Sequence, residues 1–169
     1  AAGSVGLEVV DIMDGGTLYI NGTTVQLSNW RGLTFNTGTT STISIASGCT
    51  FRTYYNPVKA TKTIPDQITG AGACIFRGPG TWQSSRPDGD NPVTQGLWTG
   101  PLTVTDGGTL YWGDDNNRWS LGGTTPPPAQ PITFQAGTTF QFFPSRNNST
   151  LPVHRPFVVA GDMTFRCYL

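Results

Sequence analysis

Short runs in which apolar and polar residues alternate, broken by bends rich in Gly and Thr, recur along this chain. The string DGGTLY occurs twice, at 14–19 and at 106–111. Around it lies a looser pattern: apolar, any, apolar, two loop residues, Gly (or Pro/Asp), any, Thr, and in most copies a further apolar residue. It reads VDIMDGGTLYI at 10–20, LTFNTGTTSTI at 33–43, ISIASGCTFRT at 43–53 and CIFRGPGTWQS at 74–84. It continues as LTVTDGGTLYW at 102–112, ITFQAGTTFQF at 132–142 and FVVAGDMTFRC at 157–167. The Thr of the pattern falls at Thr17, Thr40, Thr50, Thr81, Thr109, Thr139 and Thr164.

Each unit predicts a strand with period-two alternation, a tight bend, and a second strand of β-branched and aromatic residues. No stretch keeps apolar residues at three-and-four spacing, and Pro or Gly interrupts the chain about every ten residues, so the expected class is all-β, in one domain spanning 1–169. Apart from the close pair at 33 and 43, the units start about 23 to 31 residues apart, the range in which repeat architectures stack supersecondary units. The expectation is a β-solenoid, right-handed and β-helix-like, with each unit forming one corner of a coil. A Thr at the bend has a hydroxyl to hold the turn or to stack on the Thr of the next rung. Asp-Gly between alternating strands is also a strong hairpin signal, so a β-sandwich or jelly roll is the competing architecture.

Composition narrows the function. Only 12% of the 169 residues are charged, the formal net charge is zero, and the basic residues are scattered singly, so neither nucleic acid nor an anionic membrane is an expected partner. No apolar run is long enough to span a membrane as a helix. The start AAGSVG is compatible with a chain trimmed after a signal segment. Three cysteines, Cys49, Cys74 and Cys167, are an odd number without metal-ligand spacing; one disulfide plus a free thiol competes with three buried small apolar residues.

Residues 68–114 carry a further likeness. Gly70, Gly72, Arg77, Gly78, Gly80 and Thr81, followed by Thr99, Gly100, Gly107, Thr109 and Leu110, stand where the autotransporter-associated β-strand repeat has its Gly-x-Gly, basic, Gly-x-Gly-Thr and Gly-Gly-Thr-Leu positions, so this segment resembles that family. The resemblance implies a right-handed β-helical passenger, secreted and displayed outside a bacterial cell, adhesive rather than catalytic in its repeats.

Candidate chemistry is sparse. The single histidine, His154, lies between prolines in LPVHRPF and reads as a loop residue, so no zinc or copper site can be put together from recognisable ligands. Asp88 with Asp90 and Asp114 with Asp115 are the carboxylate clusters, neither with the spacing of a calcium loop. No nucleophile elbow or phosphate loop is present. The expectation is therefore no enzyme and no cofactor, with a polysaccharide-degrading enzyme as the remote alternative.

Aromatic residues beside polar loops are the remaining lead. Trp98, Trp112 and Trp119, with Asp114 and Asp115, are the candidate ligand-binding residues, an indole stacking on a sugar ring while a carboxylate bonds its hydroxyls. Neither terminal segment looks blunted: Val5, Leu7 and Val9 alternate near the start, and MTFRCYL ends on an apolar strand. Uncapped strands are templates for further pairing. The reading is an extracellular or cell-surface structural or adhesive subunit that self-assembles into a homo-oligomer or filament through its terminal strands. A carbohydrate-binding module, or a phage, virus or capsid-type protein, is the alternative.

Overall fold

A computed structural model of the chain describes residues 9–26, 31–53, 68–86, 97–114, 130–143 and 155–167. Among them there is no helix; sixteen strands form three parallel sheets. The first sheet holds β1 (Val9–Met13), β4 (Arg31–Phe35), β7 (Ile68–Gly70) and β10 (Leu97–Trp98). The second is β2 (Thr17–Ile20), β5 (Thr40–Ile45), β8 (Ala73–Arg77), β11 (Leu102–Val104), β13 (Ile132–Phe134) and β15 (Phe157–Val159). The third is β3 (Thr24–Gln26), β6 (Thr50–Thr53), β9 (Thr81–Arg86), β12 (Thr109–Asp114), β14 (Thr139–Phe143) and β16 (Thr164–Cys167). From β1 to β12 the described strands visit the three sheets in turn, β13 to β16 alternate between the second and the third, and each described strand pairs only with its counterpart in the rung before and the rung after. This is a β-solenoid, not a sandwich.

The repeat seen in the sequence resolves into two different corners. Thr17 and Thr40 follow the bend from the first sheet to the second, whereas Thr50, Thr81, Thr109, Thr139 and Thr164 follow the bend from the second to the third. The two DGGTLY copies therefore occupy different corners of the coil. The same bend grammar serves both, which explains the close pair at 33 and 43: those units are successive corners of one rung. Thr17 and Thr40 do not even share a register, since Thr17 pairs with Thr42 and Thr40 with Ala73.

At the second corner the register is unbroken. Thr24 pairs with Thr50, Thr50 with Thr81, Thr81 with Thr109, Thr109 with Thr139 and Thr139 with Thr164. Thr24 belongs to this ladder although its sequence context, NGTTVQ, hides it from the pattern. Hydroxyls also fasten the turns: Thr39 Oγ1 donates to the Asn36 carbonyl at 2.9 Å and Thr138 Oγ1 to the Gln135 carbonyl at 2.6 Å.

Asp106 and Gly107 both have positive φ, 54° and 76°, and Gly108 N–H donates to the Thr105 carbonyl at 3.1 Å. Positive φ at both central residues is the signature of the hairpin turn. Here that turn joins β11 to β12, which lie in different sheets. The hairpin signal was real as local conformation and misleading as topology.

The core follows from the alternation. Inward positions stack rung on rung, as in the column Leu18, Ile43, Phe76, Val104, Phe134, Val159 and the column Val25, Phe51, Trp82, Leu110, Phe140, Phe165. Between the end rungs these side chains are buried, each worth about 1.5–3 kcal/mol. Two tryptophans anchor the middle: the rings of Trp82 and Trp98 stack at 6.4 Å, and Phe76 meets Trp82 edge-on at 5.9 Å. Trp82 Nε1 donates to Thr53 Oγ1 at 3.0 Å, which satisfies both buried polar atoms.

Gly70 makes the Trp98 packing possible. It pairs with Phe35 on one side and Trp98 on the other, and having no side chain it lets those two rings meet across it at 5.0 Å. Its φ is +96°, and a Cβ there would lie 2.2 Å from the Phe35 carbonyl oxygen.

Candidate functional surface

The tryptophan expected to face a ligand does not. Trp98 is fully buried, its Nε1 donates to the Gly72 carbonyl at 2.9 Å, and the Arg155 guanidinium lies 4.7 Å from its ring centroid. Burial against Phe35 and Trp82 makes it a core residue, which corrects its assignment as a ligand-binding indole. Trp112 and Asp114 lie in β12, with their side chains outside the described residues. Asp115 and Trp119 lie outside them altogether, as do His154, Asp88, Asp90, Val5 and Leu7.

Arg155 does structural work that its sequence context gave no sign of. Buried beside β10, it donates from Nε to the Gln130 carbonyl at 2.8 Å and from a terminal nitrogen to the Gly100 carbonyl. The first sheet has no described strand beyond β10, and the guanidinium tops the column that ends in Trp98. Burial pushes its pKa down to about 10, so it remains charged at neutral pH. Nearby, burial pushes the Cys74 thiol up, and the Arg155 charge offsets this only in part. All three cysteines are free; Cys49 and Cys74 are buried and Cys167 is exposed, so neither sequence expectation holds in full.

Two surfaces stand out among the described residues. The first is the rung formed by β15 and β16, where every residue of both strands is exposed. Its Phe157, Val159 and Phe165, 36%, 62% and 63% exposed, occupy the columns that are buried one rung below. The opposite end differs: Met13 and Ile20 are buried, and Leu18 and Val25 are partly covered. The second surface is a groove of about 480 Å³ on the outer face of the second sheet, lined by Thr17, Tyr19, Thr42, Ser44, Arg77 and Asp106 together with the corner around Pro79. Tyr19 is 60% exposed there, and Arg77 Nε donates to Asp106 Oδ2 at 3.0 Å.

The chain matches no protein-family model, no curated protein and no solved structure. What stands of the autotransporter-repeat likeness is the coil of stacked parallel strands. Among the described residues no group of three His, Cys, Asp or Glu is placed to hold a metal ion, and no helix is long and apolar enough to cross a membrane.

Sequence reasoning missed Tyr19, Arg77 and Asp106. Tyr19 and Asp106 sit inside the two DGGTLY copies, at non-equivalent corners. Arg77 stands 29 residues before Asp106. Only the rung register brings the three together.

Proposed function

We propose that this chain is an extracellular, non-catalytic structural or adhesive subunit whose coils stack head to tail into a fibre. The carrying observation is the rung β15–β16, whose inward columns end on exposed Phe157, Val159 and Phe165. Its outer strand edges are unpaired among the described residues, and such an edge is a template for one more strand.

The occupant that fits is the first rung of a second copy. Continuing the register places Thr24 of that copy over Thr164, Val25 over Phe165 and Leu18 over Val159, extending the threonine ladder and both apolar columns. β2 and β3 are likewise each paired on one side only. A contact between two different surfaces that does not close on itself generates filaments. The reading agrees with the surface-displayed passenger that the likeness at 68–114 implies.

The test uses two variants, one blocking each end. Phe165→Lys places a charge in the last rung and Val25→Lys in the first. The wild type should form assemblies in light scattering and electron microscopy, each variant alone should stay monomeric, and an equal mixture should stop at a dimer, because one live end of each kind remains. A wild type that stays monomeric at high concentration, or a mixture that stays monomeric while the wild type assembles, overturns the proposal.

A further inference from the structure

We infer that the groove beside Tyr19 binds a neutral, pyranose-based oligosaccharide laid across the strands, along the axis of the coil. Tyr19, Ser44 and Arg77 occupy one outward column on successive rungs, and Thr17 and Thr42 the column beside it. Adjacent rungs lie about 4.8 Å apart, so the exposed phenol ring and the guanidinium are separated by about 10 Å with hydroxyls between them. The corner around Pro79, with Asp106 from the next rung, walls one side. The volume of about 480 Å³ falls in the range of small-ligand sites.

The chemistry selects the ligand class. Tyr19 offers a rigid, amphipathic face at low conformational cost. Thr17, Thr42 and Ser44 donate and accept through hydroxyls. Arg77 engages Asp106 through Nε, and its fork geometry leaves terminal N–H donors beside a carboxylate acceptor, the pair a vicinal diol can satisfy. Because the two charges neutralise each other, the groove gives no net attraction to an anionic polymer. An extended peptide laid across the strands is disfavoured for another reason: β5 and β8, which floor the groove between Tyr19 and Arg77, are paired on both sides, so strand addition is open only along the outer edge of β2 and not within the groove. The inference stands independently of head-to-tail assembly, since the groove lies on the side of the coil.

The experiment titrates the full chain with cellohexaose, maltohexaose and chitohexaose at millimolar concentration, with a heparin hexasaccharide as the anionic comparison, followed by NMR shifts and calorimetry. At least one neutral probe should shift resonances of Tyr19, Thr42, Ser44 and Arg77, with an affinity insensitive to salt. Tyr19→Ala should weaken binding by about tenfold or more, whereas Tyr19→Phe should stay within about threefold, because the ring face carries the contact. Asp106→Asn should weaken it by several fold. Thermal melting of each variant should match the wild type, as the substituted side chains are exposed. No shift with any neutral probe, shifts confined elsewhere, unchanged binding by Tyr19→Ala, or preference for the heparin probe overturns the inference.

Discussion

Replacing Gly70 with alanine tests the packing of the middle rungs, and Gly38→Ala supplies the reference. Both glycines have positive φ, +96° and +82°, but the added Cβ meets the Phe35 carbonyl oxygen at 2.2 Å in the first case and nothing within 4 Å in the second. The conformational penalty of a left-handed residue, about 1–2 kcal/mol, is common to both. Relieving the overlap at Gly70 requires β7 to move away from β4 and so to shift against β10, with which it pairs on its other side. That endangers the Gly72 N–H bond to the Phe35 carbonyl and the Thr99 N–H bond to the Gly70 carbonyl, both 2.9 Å, at about 1 kcal/mol each. It also disturbs the Phe35–Trp98 contact at 5.0 Å, worth roughly another 1 kcal/mol. Gly70→Ala should therefore lose about 3 kcal/mol more than Gly38→Ala in urea denaturation followed by circular dichroism. Equal losses in the two variants would refute the close approach of the rungs at Gly70.

Trp82→Phe should cost about 2 kcal/mol in the same assay, because it removes the bond to Thr53 and leaves a buried hydroxyl unsatisfied; adding Thr53→Val should recover part of the loss. A thiol reagent applied to the native chain should modify Cys167 quickly and reach Cys49 and Cys74 only in denaturant. Stability should fall as pH rises above about 9, the thiol's ordinary value, since the unfolded thiol ionises while burial keeps Cys74 protonated in the fold; the slope is about 1.4 kcal/mol per pH unit. Arg155 acts oppositely, its burial penalty being present below about pH 10 and relieved above it, so the thiol effect is clearest between about pH 9 and 10, where Cys74→Ala should flatten the curve relative to wild type.

The alternation in runs such as TSTISI and TFRT made strands legible, and the recurrence of Gly-Thr bends made a coil legible, because a solenoid repeats its local chemistry once per rung. The pattern did not reveal that a rung has two corners built from the same residues. Nor did it distinguish the Asp106-Gly107 turn at a corner from the same turn in a hairpin, since the central dihedrals coincide and only the partners of β11 and β12 differ. Trp98 was misjudged because a tryptophan next to Thr-Gly-Pro reads as a loop residue; its burial depends on the empty side-chain space at Gly70, one rung away. The groove was illegible for the same reason: Tyr19, Ser44 and Arg77 are remote in sequence and adjacent only by register.

The stacked register is most directly tested by methyl NMR on threonine-labelled protein. The account predicts contacts running from Thr50 to Thr81, Thr109, Thr139 and Thr164 in order, with parallel backbone contacts between their strands. Antiparallel contacts between β11 and β12, or no contact between the methyls of Thr81 and Thr109, would contradict it.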